Sequence, residues 1–237
     1  MKPRLIAHRG ASLVAPENTF EAANAALDLG ADIIELDVRE SADGVLYVLH
    51  DRTVDRTTDG AGLLELMHSA DIDALDAGRW FAPEFCSAKV PRLDAFLDNL
   101  RARGAGAYVE VKWCNPDTLA GILRETRMME HSFAFAHKPE MAIGLASAAP
   151  DLRTSTLLSV ARNVSVARSL YRADFIELEQ AECTDAVVRA ARAVGLEIIG
   201  YSESSTPAVF KCFADTHVDY INLDHLEVAL KVLGENP

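Results

Sequence analysis

Cysteine is scarce and scattered in this 237-residue chain: Cys86, Cys114, Cys183 and Cys212 form no Cys-x-x-Cys pair. That excludes a zinc knuckle or a thioredoxin-like redox motif, and a chain this long does not need disulfide staples. Reduced thiols and a cytoplasmic location are therefore expected. Long hydrophobic runs are missing too. Charges interrupt every apolar segment well before the ~18 residues that cross a bilayer, so no stable membrane insertion is expected. The first apolar stretch, Leu5–Ala7, stops at His8 and Arg9, far short of a signal-peptide core. Positive charge is in deficit, with 23 Lys and Arg against 36 Asp and Glu and a formal net charge of −13. Such a chain repels polyanions, which argues against a nucleic-acid partner. Finally, no Gly-x-Gly-x-x-Gly follows the first predicted strand and no Walker-type loop occurs anywhere. An open, doubly wound nucleotide-binding sheet loses its usual support.

What is present reads as an ordinary folded protein, 49% hydrophobic and 25% charged, of a length that suits one large domain over residues 1–237. Short apolar or β-branched runs alternate with helical patterns. Strands are predicted at Leu5–Ala7, Ile33–Arg39, Ala107–Lys112, Ser132–Ala136, Arg153–Leu157, Phe175–Leu178, Glu197–Tyr201 and Tyr220–Leu223. Helices are predicted at Thr19–Leu29, Leu93–Arg103 and Asp117–Met129, with further helical stretches after the later strands. Asn18 is the candidate N-cap of the first helix, with Glu21 in capping-box register. About eight strand–helix units close a (β/α)₈ TIM barrel, the expected α/β fold, with the open sheet as its alternative. One segment breaks the rhythm: residues 51–91 form an insertion after the hairpin that follows the second strand. It carries the aromatics Trp80, Phe81 and Phe85, enough for a small cap that either merely packs or shapes access to a site.

The chemistry concentrates at strand ends. Glu35 and Asp37 stand two apart, so period-two alternation turns both to one face while Ile34, Leu36 and Val38 take the other. Glu110 and Lys112 repeat that spacing on the next barrel strand. At the C-terminal mouth of a barrel, three carboxylates, Glu35, Asp37 and Glu110, would suit a hard divalent ion, Mg²⁺ or Ca²⁺, better than zinc. Read alone, Glu35 and Asp37 fit exposed carboxylates on an edge strand equally well, and Lys112 fits a simple salt-bridge partner of Glu110. Asp43-Gly44 signals a two-residue hairpin, whose return strand Val45–His50 would set His50 opposite Asp37. His8 ends the first strand beside the second, so two imidazoles converge on the carboxylates. Arg9 supplies a planar fork for phosphate oxygens and Lys112 a point charge, which together imply an anionic substrate.

The ordered set His8-Arg9-Gly10, Pro16-Glu17-Asn18-Thr19, Glu35-x-Asp37, Asp43-Gly44, His50-Asp51, Thr57-Thr58-Asp59-Gly60 and Glu110-x-Lys112 resembles the glycerophosphodiester phosphodiesterases. The resemblance is dense from His8 to Lys112 and is one of rhythm thereafter. It implies a (β/α)₈ barrel that hydrolyses glycerophosphodiesters to sn-glycerol 3-phosphate and an alcohol. It further implies Glu35, Asp37 and Glu110 as metal ligands, His8 and His50 as the acid–base pair, and Arg9 and Lys112 as phosphate-binding cations. Glu17 would orient Arg9. The chain departs from the family at Phe135-Ala136-His137, Tyr201 and Leu223-Asp224-His225-Leu226, which bears on the leaving alcohol; Tyr201 offers an aromatic face to a choline-like cation. Two other readings stand beside this one: a lysophospholipase D-like lipid phosphodiesterase, with Trp80–Phe85 as an apolar mouth, and a non-catalytic glycerophosphate-binding barrel. A homo-oligomer is open in either case.

Overall fold

A computed structural model describes residues 2–204 and 206–234; the remaining positions of the domain expected over residues 1–237 lie outside the described residues. The chain runs β1 (Arg4–Ala7), α1 (Phe20–Leu29), β2 (Ile33–Glu40), β3 (Leu46–Val48), α2 (Ser69–Ala74), α3 (Leu93–Ala102), β4 (Gly106–Trp113), α4 (Pro116–Glu125), β5 (Ser132–Phe135) and α5 (Pro139–Ala148). It continues through β6 (Arg153–Leu157), α6 (Leu158–Ala161), α7 (Val164–Ser169), β7 (Phe175–Glu179), α8 (Asp185–Ala193), β8 (Glu197–Ser202), α9 (Pro207–Asp215), β9 (Tyr220–Leu223) and α10 (Leu226–Val232). Among the described residues, eight parallel strands, β1, β2 and β4 to β9, pair in order and close through β1–β2 and β1–β9. This is the expected (β/α)₈ barrel, and the open sheet is ruled out by the closing pairs.

Alternation along each strand divides the interior into two cores. Ile34, Leu36, Val38, Ala107, Val109 and Val111 face outward and pack beneath the helices. Ile6, Ile33, Tyr108, Phe133, Phe135, Phe175, Ile199 and Tyr220 fill the barrel itself. Its rings stack closely, with Phe133 4.5 Å from Tyr108 and 4.4 Å from Phe175 between centroids. Five aromatics, Tyr108, Phe133, Phe135, Phe175 and Tyr220, thus build most of an apolar plug, above which the inward positions turn polar.

Two local expectations need correction. Thr19, not Asn18, caps α1: its side chain accepts from the Ala22 N–H at 3.2 Å, and Asn18 is held in the left-handed region at φ 59°. The hairpin loop is also one residue longer than predicted. Ser41 bonds Val45 through N–H···O at 2.9 Å and accepts from Gly44, which sits at φ 83° as the turn requires. Val38 therefore faces Val48, Asp37 lies opposite Leu49, and His50 falls just beyond the ladder. β3 occupies the edge of β2 that β1 leaves free past Ile34.

Residues 51–91 hold α2, two single 3₁₀ turns, and an apolar cluster of Val54, Leu64, Ile72, Ala77 and Val90 that closes against Tyr47 and Leu49 of the hairpin. Trp80, Phe81 and Phe85 pack edge to face on one another. No helix among the described residues is long and apolar enough to cross a membrane.

Candidate functional site

Inward-facing residues at the C-terminal ends of the strands converge on a cleft of about 210 Å³ lined by His8, Arg9, Glu35, His50, Glu110, Lys112 and Tyr201, among others. Glu35 and Asp37 reach it by the alternation of β2, and Glu110 by that of β4, in register with Asp37. Oxygens of these three buried carboxylates lie within 4.8 Å of one another. Crowding them raises the proton affinity of Glu35, through burial first and then the neighbouring charge of Asp37. Asp37 shifts the other way: burial opposes it, but Lys112 and Arg9 hold it ionised.

Lys112 stands at an irregularity. The β2–β4 register steps from Val38↔Val111 to Arg39↔Trp113, leaving Lys112 as the extra residue of a bulge. Its Nζ stands 3.2 Å from Asp37 Oδ1 and also pairs with Glu110. Arg9 is held from three sides: its backbone N–H donates to Glu35 Oε2 at 2.9 Å, its Nη1 to Glu17 Oε1 at 3.0 Å, and its Nε lies 3.4 Å from Asp37 Oδ2. Arg9 and Asn18 both take positive φ, 56° and 59°, which side chains other than glycine seldom adopt. Gly10 follows Arg9 in the same turn. At φ 81° it packs so closely on α1 that a Cβ there would lie 2.6 Å from the Ala22 backbone.

Each histidine is anchored at Nδ1. His8 Nδ1 lies 2.8 Å from Asp224 Oδ1, and His50 Nδ1 lies 2.7 Å from Asp51 Oδ1. A carboxylate only accepts, so each Nδ1 carries the proton and Nε2 is left for other chemistry. Nε2 of His8 is 3.9 Å from Glu35 Oε2. Burial pulls His8 down, but Glu35 and Asp224 outweigh it and raise its pKa to about 9. Arg56 from the insertion bridges Asp51 and Glu17, while Arg39 donates twice to the His50 carbonyl at 2.9 and 2.7 Å. Tyr201 meets His8 edge-on at 5.6 Å, and its hydroxyl donates to Glu203.

The three carboxylates fit a hard cation. Glu35 Oε1, Asp37 Oδ1 and Glu110 Oε1 are buried without a hydrogen-bond partner, the latter two close to the Lys112 ammonium. An all-oxygen, triply acidic set of this kind matches Mg²⁺ or Ca²⁺.

All nine residues singled out from the sequence gather here, Glu17 through its bond to Arg9. Sequence reasoning passed over several others. Asn18 donates to Asp37 Oδ2 at 2.7 Å, Asp51 and Asp224 fix the two histidines, Arg56 ties the insertion to the site, and His137 Nε2 lies 3.5 Å from Glu110. Glu177 and Asn222 lie buried in the cleft floor, where burial pushes Glu177 up to about 7. Asp224 and His137 each sit just past the C-terminal end of a barrel strand, a position that would have flagged them. None of Trp80, Phe81 and Phe85 is among the residues lining the cleft.

Comparison with known proteins bears on the same arrangement. Residues 8–228 match the model of the glycerophosphoryl diester phosphodiesterase family. The crystal structure of a glycerophosphodiester phosphodiesterase from Agrobacterium tumefaciens is 46% identical, with a TM-score of 0.94 over 97% of this chain and 99% of that one. An Oleispira antarctica phosphodiesterase, solved with the product sn-glycerol-3-phosphate, shares the fold at 22% identity and a TM-score of 0.86, over 98% of this chain and 97% of that one. A glycerophosphodiester phosphodiesterase from Bacillus subtilis (strain 168) is 42% identical over 125 residues, 49% of this chain and 42% of the relative. The chain spans about half the length of the curated relatives it matches. With a match that runs from the first histidine into the last helix, the chain belongs to the glycerophosphoryl diester phosphodiesterase family.

Proposed function

We propose that this protein hydrolyses glycerophosphodiesters to sn-glycerol 3-phosphate and an alcohol, with one divalent cation, Mg²⁺ or Ca²⁺, and an acid–base pair of histidines. The observation that carries this reading is the trio Glu35, Asp37 and Glu110, whose buried oxygens gather at a cleft that two imidazoles line, each fixed at Nδ1 by a carboxylate. Phosphate binding alone does not call for two opposed proton carriers. The phosphodiesterase family match and the solved relative with bound sn-glycerol-3-phosphate support it further.

In this reading Glu35, Asp37 and Glu110 hold the cation, which when bound withdraws charge from the phosphoryl oxygens. Arg9 and Lys112 orient the phosphate, Arg9 braced by Glu17. Nε2 of one histidine takes the proton of the glycerol 2-hydroxyl as its oxygen attacks phosphorus. The bond to the alcohol oxygen breaks, and the other Nε2–H protonates that oxygen. The five-membered cyclic phosphate is then opened by water with the histidine roles exchanged, leaving the phosphate on the terminal carbon. Tyr201 borders the His8 side of the cleft as an aromatic surface for the alcohol. The 51–91 insertion acts as a cap that steadies His50 through Arg56 and Asp51, in a single barrel domain working in the cytoplasm.

A panel of glycerophosphocholine, glycerophosphoethanolamine and lysophosphatidylcholine, assayed with and without chelator, tests this. We expect turnover of the first two that requires the cation, and a loss of ~10² to 10⁴ in kcat for His8→Ala and for His50→Ala with folding retained. Tight binding without turnover would leave a binding barrel, and preference for lysophosphatidylcholine would leave a lipid phosphodiesterase.

A further inference from the structure

Two polar side chains at the floor of the cleft are used neither by the carboxylate trio nor by the histidines. Glu177 on β7 is 5% exposed and Asn222 on β9 is 2% exposed, yet both line the cleft. They are joined by a single bond, Asn222 Nδ2 to Glu177 Oε2 at 3.4 Å. Asn222 Oδ1 is buried with no partner, a condition rare in folded proteins unless a ligand supplies the missing donor. Beneath them stands the aromatic plug, whose Tyr108 hydroxyl bonds Ser155 at 3.2 Å. Above them are His8 and Glu110, whose charges Glu177 feels.

The chemistry of a ligand for this pair is constrained. It must offer an O–H or N–H to Asn222 Oδ1, which a quaternary ammonium cannot do. It must reach two side chains that are almost fully buried, a place suited to a moiety that every substrate shares. The glycerol unit is the constant part of every glycerophosphodiester. Its 2-hydroxyl is engaged by the histidines in the reaction proposed above, and its terminal hydroxyl remains. That hydroxyl can donate to Asn222 Oδ1 or to the Glu177 carboxylate and accept from Asn222 Nδ2.

We infer that Glu177 and Asn222 bind the free terminal hydroxyl of the glycerol moiety, and so select glycerophosphodiesters over diesters in which that hydroxyl is absent or acylated. The inference rests on the phosphodiesterase reading and names its specificity determinant. A site with buried polar groups matched to a hydroxyl rejects the analogue lacking it, because those groups are then left unpaired.

The test compares kcat/KM for glycerophosphocholine with that for the propane-1,2-diol analogue of phosphocholine, which keeps the 2-hydroxyl and carries hydrogen in place of the terminal one. The full chain with Mg²⁺ should favour the glycerol compound by ~10²-fold or more. In Glu177→Met and in Asn222→Leu that ratio should fall at least tenfold, and Glu177→Gln, which keeps a hydrogen-bonding amide, should fall between. Wild-type turnover of both compounds at similar kcat/KM overturns the inference without any variant being needed. A parallel loss on both substrates in the variants, with the ratio kept, overturns it as well and leaves Glu177 and Asn222 a structural role. Turnover of neither compound by the wild type removes the phosphodiesterase reading itself, and the subsite with it.

Discussion

Glu177 is a carboxyl placed where ionisation is costly. Burial raises it to about 7, above the ~4.3 of a free glutamate. The native state therefore keeps a proton that the unfolded chain releases, so native stability falls as pH rises from about 4.5 through 7. Replacing the group with a permanently neutral one removes that dependence. We expect Glu177→Gln to melt a few degrees above the wild type at pH 8 and close to it at pH 4.5, since ~1 kcal/mol moves the midpoint of a domain this size by ~2 to 4 °C. A variant that melts lower at pH 8 would mean that the carboxylate is held by partners stronger than Asn222. Gain in stability with loss of selectivity is the usual pattern where a residue is retained for a ligand rather than for the fold. The histidine carboxylates differ in how visible they are. Asp51 adjoins His50 in sequence, whereas Asp224 meets His8 across 216 positions, and its place at a strand end does not say which histidine it will meet.

Among the elements, the hairpin and the insertion decide how the His50 side is built. The Asp43-Gly44 pair does mark the turn, but the extra loop residue shifts the ladder, and His50 reaches the cleft from a bend beyond the strand instead of from a paired position. Loop length is set by how Ser41 and Gly44 bond, which residue type alone does not specify. The 51–91 insertion has its own small core, so it can loosen without opening the barrel. Leu64, fully buried there, is the test. Leu64→Ala should cost ~2 to 5 kcal/mol within the insertion. Amide exchange should then rise across 51–91 while β1, β2 and β4 stay protected, and activity should fall as Arg56 releases Asp51 and Glu17. Uniform loss of protection over the whole chain would mean that the insertion and barrel unfold together.

For the molecule as a whole, closing the barrel gathers three acids at one mouth in a chain already at −13. Their repulsion is a standing cost that a bound cation relieves, and a ligand that binds only the native state stabilises it by mass action, ~2.7 kcal/mol at a hundred times its dissociation constant. Millimolar Mg²⁺ or Ca²⁺ should raise the melting midpoint by several degrees over protein in chelator, and Asp37→Asn with Glu110→Gln should abolish that response. An unchanged midpoint in the wild type would speak against a cation on this trio.

Alternation, a local property, determined that Glu35 and Asp37 share one face of their strand and Glu110 and Lys112 one face of theirs, and the strand–helix rhythm predicted a barrel while leaving an open sheet as its alternative. Period two follows from backbone geometry within a few residues. Only the closed tertiary structure decided that β9 lies beside β1, bringing Asp224 to His8, and that Glu177 and Asn222 come together beneath them. Those contacts join residues far apart in the chain, and no repeat along the sequence encodes which strand end a distant carboxylate will meet once the sheet has curved back on itself.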